Sequence, residues 1–194
     1  MIAIFLLVFI NFTGVVHAQV QTHNVIVDNF EKPGKKNSRD GDFGAFSDPK
    51  SLGRCYLFFF QNKEKDIQVT SEYALYIEWD TSKAGAYGGY WTDLKHLNIE
   101  NHGHLSFYVK GLKGGEKFKV GLRGSVNSTY EKKILINRVL KNGVTTEWQK
   151  VNIPLKWFGA IDDWGDVNML SINFENAFDS GKGAILIDEI TFEK

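Results

Sequence analysis

Leu170-Ser171-Ile172-Asn173-Phe174-Glu175 is the stretch that decides the fold, because apolar and polar side chains alternate strictly along it. Successive side chains of a β-strand point to opposite faces of the sheet, so this period of two predicts a half-buried strand. The same alternation recurs in the runs 105–109, 118–122 and 151–155. No window of twelve or more residues shows the 3.6-residue apolar period of an amphipathic helix.

Turn-forming triplets separate these runs. Lys113-Gly114-Gly115 and Lys141-Asn142-Gly143 predict hairpins, because Gly and Asn tolerate the positive φ angles of tight hairpin turns. Many short strands with such turns between them favour an all-β fold, a two-sheet antiparallel β-sandwich of the jelly-roll type. The polar, Gly-rich segment 31–54 fits no strand pattern, and we expect a long loop there that crosses one edge of the sandwich.

Residues 1–18 are predicted to be a signal peptide, and residues 19–194 a single β-sandwich domain. The segment 2–10 is apolar, and Val16-His17-Ala18 offers the small residues that a signal peptidase accepts. A transmembrane anchor is the alternative, but the apolar run is too short to cross ~30 Å of hydrocarbon. We therefore expect a secreted or periplasmic protein with no membrane span in the mature chain.

The charge balance and the cysteine content exclude several classes of function. The 23 basic and 23 acidic residues cancel, so there is no electrostatic case for nucleic acid as a partner. Cys55 is the only cysteine, which excludes an intramolecular disulfide. Its apolar neighbours indicate a buried, inert thiol rather than a nucleophile.

Two carboxylates share the alternation of apolar residues near the two ends of the domain. Asp28 alternates in phase with Phe30, and Asp188 alternates in phase with Ile190. A carboxylate on a core face is costly unless a cation or hydrogen-bond donors satisfy it. If the first and last strands are neighbours, Asp28, Glu31 and Asp188 could supply the oxygen ligands of a structural Ca²⁺. The alternative is that these acids cap turns or pair with lysine.

Carboxylates for glycoside hydrolysis are sparse. The candidates are Asp162, Asp163 and Asp166 in one Gly- and Trp-containing loop, together with Glu175. None of them has a distinctive sequence context, and we favour a solvated loop over a catalytic site. His102-Gly103-His104 lacks a third ligand at zinc-site spacing. No nucleophile elbow or phosphate-binding loop is present, and we expect no enzymatic activity.

Aromatic side chains are the more informative group. Tyr87-Gly88-Gly89-Tyr90-Trp91 and, separately, Trp164 place flat apolar rings next to glycines and strand ends. Such rings can stack on the C–H face of a sugar, or they can plug the ends of the sandwich. We assign Trp91 to the core and Tyr90 to ligand binding.

Five motifs then occur in a fixed order along the mature chain: Val27-Asp28-Asn29-Phe30-Glu31, Gly89-Tyr90-Trp91, the run 147–155, Ser171-Ile172-Asn173-Phe174 and Ile187-Asp188-Glu189-Ile190. This set resembles the family 11 carbohydrate-binding modules and their galactose-binding-like jelly-roll relatives. The complex I intermediate-associated protein 30 type of domain shares much of the pattern and is a weaker match.

The resemblance implies a jelly roll with structural calcium and a concave sheet that binds β-glucan chains by Tyr stacking and polar side chains. On matching positions it assigns ligand contacts to Tyr90, Trp164, Asn173 and Asn176. Strand alternation adds residues that point away from the core, namely Tyr87, Tyr108 and Arg123.

The sequence therefore predicts non-catalytic binding of a polysaccharide, and the resemblance implies a β-glucan. A structural or adhesive protein that uses the fold to contact a cell-surface or enzyme partner is the second hypothesis. A small glycan-active enzyme is the third.

Overall fold

The computed structural model describes residues 23–50, 52–62, 69–125, 130–178 and 181–194. Eleven strands, numbered in chain order, form two antiparallel sheets in this part of the chain. The six-stranded sheet contains β1 (Val25–Asp28), β3 (Arg54–Gln61), β4 (Tyr73–Asp80), β6 (His104–Gly111), β9 (Gln149–Pro154) and β11 (Lys182–Glu193). The five-stranded sheet contains β2 (Phe43–Ser47), β5 (Tyr87–Leu97), β7 (Lys119–Arg123), β8 (Lys132–Leu135) and β10 (Val167–Glu175).

Each of the two sheets has its own strand order. The six-stranded sheet runs β3-β4-β11-β6-β9, with β1 also paired to β11, and the five-stranded sheet runs β2-β5-β10-β7-β8. Two short 3-10 helices, Ile136–Arg138 and Leu155–Phe158, follow β8 and β9. The predicted two-sheet antiparallel sandwich is confirmed, whereas the predicted signal peptide lies outside the described residues.

The alternating residues of both sheets meet in one core, as the sequence pattern predicts. Trp79 of β4 stacks on Phe174 of β10 with ring centroids 3.9 Å apart and an interplanar angle of 10°. Gly183 of β11 makes room for this pair, because a Cβ atom there would collide with the Trp79 ring. The stack therefore joins the two sheets at a fixed point.

The predicted hairpins are wrong, although the turns are real. Gly114, Gly115 and Gly143 all adopt positive φ, at 81°, 83° and 78°. The strands on either side of each turn, however, lie in different sheets, so both segments carry the chain across the sandwich. Gly and Asn residues indicate that the chain reverses its direction, but they do not indicate which of the two sheets contains the next strand.

The segment 31–54 is only partly a loop, because it contains β2 at Phe43–Ser47. The alternation of apolar and polar residues in β2 is not visible in the sequence, because Gly44 and Ala45 lie between Phe43 and Phe46. The register with β5 places Phe43 toward the core and Phe46 toward the outer face. Cys55 in β3 is half-buried, and burial raises the pKa of its thiol to about 12, which makes it a poor nucleophile as predicted.

The pairing of β1 with β11 has a register shift between Ile26 and Asp28, and β11 contains a β-bulge that changes which face its side chains occupy. In β11 the register shifts between Asp188 and Thr191, and Glu189 has a φ of 51°. Ile185 and Ile187 point inward before the bulge, and Ile190 and Phe192 point inward after it. A bulge adds one unpaired residue and so reverses the alternation. None of the described helices is long and apolar enough to cross a membrane.

Candidate functional site

The outer face of the five-stranded sheet carries a groove with a volume of about 530 Å³. Its floor is set by the register of three strands. Asn173 of β10 lies between Gly89 of β5 and Lys119 of β7, and Ser171 lies between Trp91 and Gly121. The two glycines keep the floor low, because a Cβ at Gly89 would meet the Phe46 ring, and one at Gly121 would meet a carboxylate.

Aromatic side chains form one wall of the groove. Phe46 of β2, with Tyr87 and Trp91 of β5, lines it, and Tyr87 is 40% exposed. The Trp91 indole lies over Gly44 of the neighbouring strand, where an added Cβ would lie 3.2 Å from Nε1. The ring is therefore held against the sheet with its other side toward the groove.

Polar side chains extend from the floor of the groove to its opposite wall and are linked by hydrogen bonds. Asn173 Nδ2 donates to Ser171 Oγ over 2.6 Å, and Ser171 Oγ donates to Glu131 Oε1. Lys133 Nζ lies 3.2 Å from Glu131 Oε2 and 3.6 Å from Glu175 Oε1. Lys119 completes the set, with its Nζ 2.8 Å from Glu175 Oε2. Two carboxylates are thus balanced by two lysines.

A second cavity of about 380 Å³ adjoins the groove beyond Trp91 and Met169, which line both. Arg123 of β7 and Asn168 of β10 contribute hydrogen-bond donors there. The Arg123 Nε atom is buried and has no hydrogen-bond partner among the described residues. The groove therefore continues along the strands toward a cluster of side chains that can bind hydroxyl groups.

Four of the residues predicted to bind a ligand are brought to this face. Asn173, Asn176 and Tyr87 line the main groove, and Arg123 lines its extension. Asn176 is fixed by its side chain, because Nδ2 donates to the Thr81 carbonyl over 2.8 Å.

The structure places Tyr90 and Trp91 the other way round from the prediction, with Tyr90 in the core and Trp91 on the groove. Tyr90 is fully buried, with its ring 5.9 Å from that of Phe43 inside the core, so it cannot stack on a ligand in this structure. Burial and the nearby Asp28 carboxylate raise the pKa of its hydroxyl. Trp91 lines the groove, and the sequence reasoning missed it. Leu94 lies three positions further along β5 and is in the core, and an odd separation along a strand puts Trp91 on the opposite, outer face.

Trp164 and Tyr108 lie elsewhere. Trp164 packs partly on the core and lines a separate cavity with Leu155 and Lys156 at the end of the sandwich. Tyr108 lies in the six-stranded sheet, on the outer face that is turned away from the groove, against Trp148 and Leu186. Strand alternation places a side chain outside a sheet, but it does not say which of two sheets the strand joins.

The three acids predicted to bind calcium do not form one site. The described residues contain no group of three or more His, Cys, Asp or Glu side chains arranged to hold a metal ion. The bulge turns Asp188 to the outer face beside Leu186, where it accepts hydrogen bonds from Ser71 Oγ and the Glu189 amide. Calcium binding stays a prediction, and no property of the groove depends on it.

Hydrogen bonds within the chain satisfy the other two acids. Asp28 Oδ1 accepts from the Phe30 amide over 3.0 Å and from Ser38 Oγ over 3.2 Å. Burial raises the pKa of Asp28, and these hydrogen bonds oppose the rise. Glu31 Oε1 accepts from the Tyr73 amide over 2.9 Å. The Asp28 contact with Phe30 agrees with the alternative that the acids cap turns, whereas Glu31 instead joins its loop to the start of β4.

The carboxylates considered for catalysis are also engaged. Asp162 and Asp163 accept hydrogen bonds from Ser125 Oγ and the Gly165 amide, and Asp166 lies 2.6 Å from His96 Nδ1. None of the three lines the groove. Glu175 does, but it is ion-paired with both lysines.

A family model places this β-sandwich in the class of carbohydrate-binding modules. The family described as Carbohydrate binding domain 30 matches residues 58–194, and the chain belongs to this family. No curated protein sequence matches the chain.

Solved structures with a similar fold come from two families of such modules. A family 30 carbohydrate-binding module superposes with a TM-score of 0.66 at 19% identity, covering 90% of each chain. The family 11 module of the cellulosomal cellulase Lic26A-Cel5E of Clostridium thermocellum gives 0.65 at 12% identity, covering 88% of this chain and 94% of that one. A family 11 module from the same organism, in complex with a β-1,3-1,4-mixed-linked tetrasaccharide, gives 0.64 at 12% identity, covering 88% and 95%. The predicted resemblance to carbohydrate-binding jelly rolls is confirmed.

Proposed function

We propose that the groove on the five-stranded sheet binds a neutral polysaccharide of the β-glucan class without altering it. The observation that carries this proposal is the pairing of an aromatic wall with a hydrogen-bonding wall across one groove. A sugar ring presents C–H groups on its face and hydroxyl groups at its rim. Ligand sites that are mostly apolar, with a few convergent polar groups, suit such a molecule.

The charges of the groove support a neutral ligand. Glu131 and Glu175 are each paired with lysine, so the carboxylates of the main groove are balanced by positive charge. Carboxylates held in this way are strong acceptors for hydroxyl groups. The family 11 module was solved in complex with a β-1,3-1,4-mixed-linked tetrasaccharide, a chain of the kind that we propose here.

Binding rather than hydrolysis fits the same arrangement. A glycosidase needs one protonated carboxylic acid and one free carboxylate on opposite sides of the scissile bond. Lys133 lies between the two groove carboxylates and is ion-paired with both, so neither is free to face a substrate alone. Incubation with the bound polysaccharide should therefore release no reducing ends, whereas their release at a rate above that of buffer would favour the enzyme hypothesis.

Trp91→Ala is expected to abolish retardation of the protein in affinity gels that contain mixed-linkage β-glucan. Central aromatic residues contribute at least ~2 kcal/mol to binding sites of this kind, which corresponds to a loss of affinity of about thirtyfold. Titration calorimetry with soluble oligosaccharides gives the same comparison quantitatively.

Tyr108→Ala is the control, because Tyr108 is a partly buried aromatic residue on the opposite face. It should bind like the wild type, as should Tyr90→Phe, which alters only the core. No retardation of the wild type on any member of a panel of neutral polysaccharides would contradict the proposal. Equal binding by Trp91→Ala and the wild type would do so too.

The predicted signal peptide supports a location outside the cytoplasm, and we propose that the mature domain acts on extracellular or periplasmic glycans. A structural calcium ion remains part of the proposal only as an expectation from the resemblance. Thermal unfolding in EDTA and in excess CaCl₂ tests it, and equal melting temperatures would remove it.

A further inference from the structure

A row of exposed aromatic side chains lies on the face of the molecule opposite to the groove. Tyr56, Phe58 and Phe60 of β3 are 48%, 52% and 45% exposed. They occupy alternate positions, so all three point away from the core, whereas Leu57 and Phe59 between them pack against it. A contiguous exposed apolar patch of this kind usually marks an interaction surface.

The same strand is an open edge of its sheet. In the described part of the chain, β3 pairs with β4 and with no other strand. The stretch 55–60 contains no charged residue, no proline and no glycine, and β3 pairs with β4 without a register shift. Edge strands normally carry charges, prolines or bulges that prevent pairing with another chain, and residues 55–60 have none of these. This aromatic edge is therefore free to pair with a further strand.

The ring geometry favours a protein occupant over a flat polysaccharide surface. The Phe58 ring is tilted by 55° relative to its cross-strand neighbour Tyr76, with centroids 6.1 Å apart. Rings that stack on a flat sugar surface have to be coplanar. Tilted rings instead match the packing of aromatic side chains with one another, where edge-to-face contacts are preferred.

The sequence of β3 is complementary to itself. If two copies pair antiparallel about Phe58, each Phe58 faces its counterpart, Tyr56 faces Phe60 and Leu57 faces Phe59. Side chains that face each other in an antiparallel pair lie on the same side of the sheet. The aromatic rows then form one cluster outside, and Leu57 and Phe59 continue the two cores inside.

Charges at the ends of the strand agree with this register. Arg54 forms no salt bridge within the described residues, and in the pair it would lie opposite Asn62 of the second copy. The Asn62 amide bonds to the Glu72 carbonyl, so this end of the second copy also carries the exposed Glu72 carboxylate. Each end of the interface thus offers one arginine to one glutamate.

We propose that the protein forms a two-fold dimer through antiparallel pairing of β3 with β3 of a second copy, centred on Phe58. Pairing buries the open backbone edge of β3 and part of each of the six exposed rings, which touch their cross-strand neighbours on the outer face of the joined sheet. Contacts of β2, which lies across from β3 with the Phe43 and Phe59 rings 6.2 Å apart, add to this area. An interface at the lower end of the size range of specific interfaces predicts a weak, reversible dimer.

The two-fold axis of such a pair runs perpendicular to the joined sheets. Equivalent faces of the two copies therefore look in the same direction, and both grooves open on the same side of the dimer. Two sites on one rigid body can hold one long polymer with an avidity well above the affinity of either site. This consequence rests on the proposed function, whereas the dimer itself does not.

Sedimentation velocity of the mature chain, without any glycan, tests the dimer from about 1 to about 500 µM. The wild type should shift from monomer to dimer within this range. Phe58→Lys should stay monomeric throughout, because it places two like charges against each other at the axis. Leu112→Lys is the matched control, since Leu112 is 48% exposed outside β3, and it should behave like the wild type.

The register is tested by cross-linking. In a Cys55→Ser background, Phe58→Cys should form a covalent dimer rapidly under mild oxidation, because the two Cα atoms come within disulfide distance. Tyr56→Cys, which faces Phe60 and not its own counterpart, should cross-link at least about tenfold more slowly. A wild type that remains monomeric up to the highest concentration would overturn the proposal, and so would equal rates of cross-linking at the two positions.

Discussion

At pH 8, Asp188→Asn is expected to raise the free energy of unfolding by about 2–4 kcal/mol. Asp188 lies on the outer face of its sheet, yet its side chain is fully buried there, in contact with Ser71. Burial raises the pKa of its carboxyl from 3.8 to about 7, and the nearby Glu189 and Glu31 carboxylates add to the rise. Asparagine removes the buried charge and can keep both hydrogen bonds, to Ser71 and to the Glu189 amide. Chemical denaturation at a series of pH values measures the difference.

The effect should depend on pH in one direction. In the unfolded chain Asp188 loses its proton near pH 4, whereas in the folded chain it keeps the proton until about pH 7. Between these values the folded state binds more protons, so the free energy of unfolding contributed by Asp188 falls as the pH rises. The advantage of Asp188→Asn should therefore be small at pH 4 and complete above pH 7. A difference that does not change with pH would contradict this assignment.

Asp80→Asn is a control with the opposite sign. Hydrogen bonds from Ser82 and the ion pair with Lys182 lower the pKa of Asp80 to about 2. Its contribution is present above the unfolded value of 3.8 and is lost as the pH falls toward 2. Asp80→Asn should therefore be slightly less stable than the wild type at pH 8, and the difference should shrink in acid.

Trp79→Ala is expected to lower the free energy of unfolding by about 3–5 kcal/mol, a large part of the stability of a domain of this size. The substitution removes the ring that stacks on Phe174 and leaves a cavity where the two sheets meet. Gly183 has no side chain that could fill the space. Urea denaturation followed by circular dichroism measures the loss.

Trp79→Phe separates the contribution of ring stacking to stability from the contribution of the volume that the side chain fills. A phenyl ring can still lie parallel to Phe174, so this variant should lose clearly less stability than Trp79→Ala. A loss below ~1 kcal/mol for Trp79→Ala would mean that the core refills the cavity, and it would contradict the role given to the stack.

The sequence predicted those features of the fold that depend on local alternation. The class of fold and the outward position of Asn173 follow from it, because residues 170–175 form a regular strand without a bulge. Asp188 was placed on the wrong face because one extra residue at Glu189 inverts the pattern, and a bulge leaves no clear mark in a single sequence.

The groove could be predicted only in part for a similar reason. Asn176 and Arg123 lie there, yet Tyr108 does not, since membership of a sheet depends on pairings between strands that are distant in sequence. Trp91 was assigned to the core as an aromatic residue that plugs the end of the sandwich, but Gly44 on the adjacent strand leaves room for its ring on the outer surface.

The position of β11 has a consequence for how the domain folds. This strand, the last of the eleven in chain order, pairs with β1, β4 and β6 and occupies the centre of its sheet. Of the consecutive strands in the described part of the chain, only β3–β4 and β7–β8 are hydrogen-bonded neighbours, so little of either sheet can form before distant segments meet. Most pairings join such distant segments, which predicts folding on the millisecond-to-second scale. Removal of the twelve residues Lys182–Glu193 would therefore leave a chain without a foldable six-stranded sheet rather than a shortened domain.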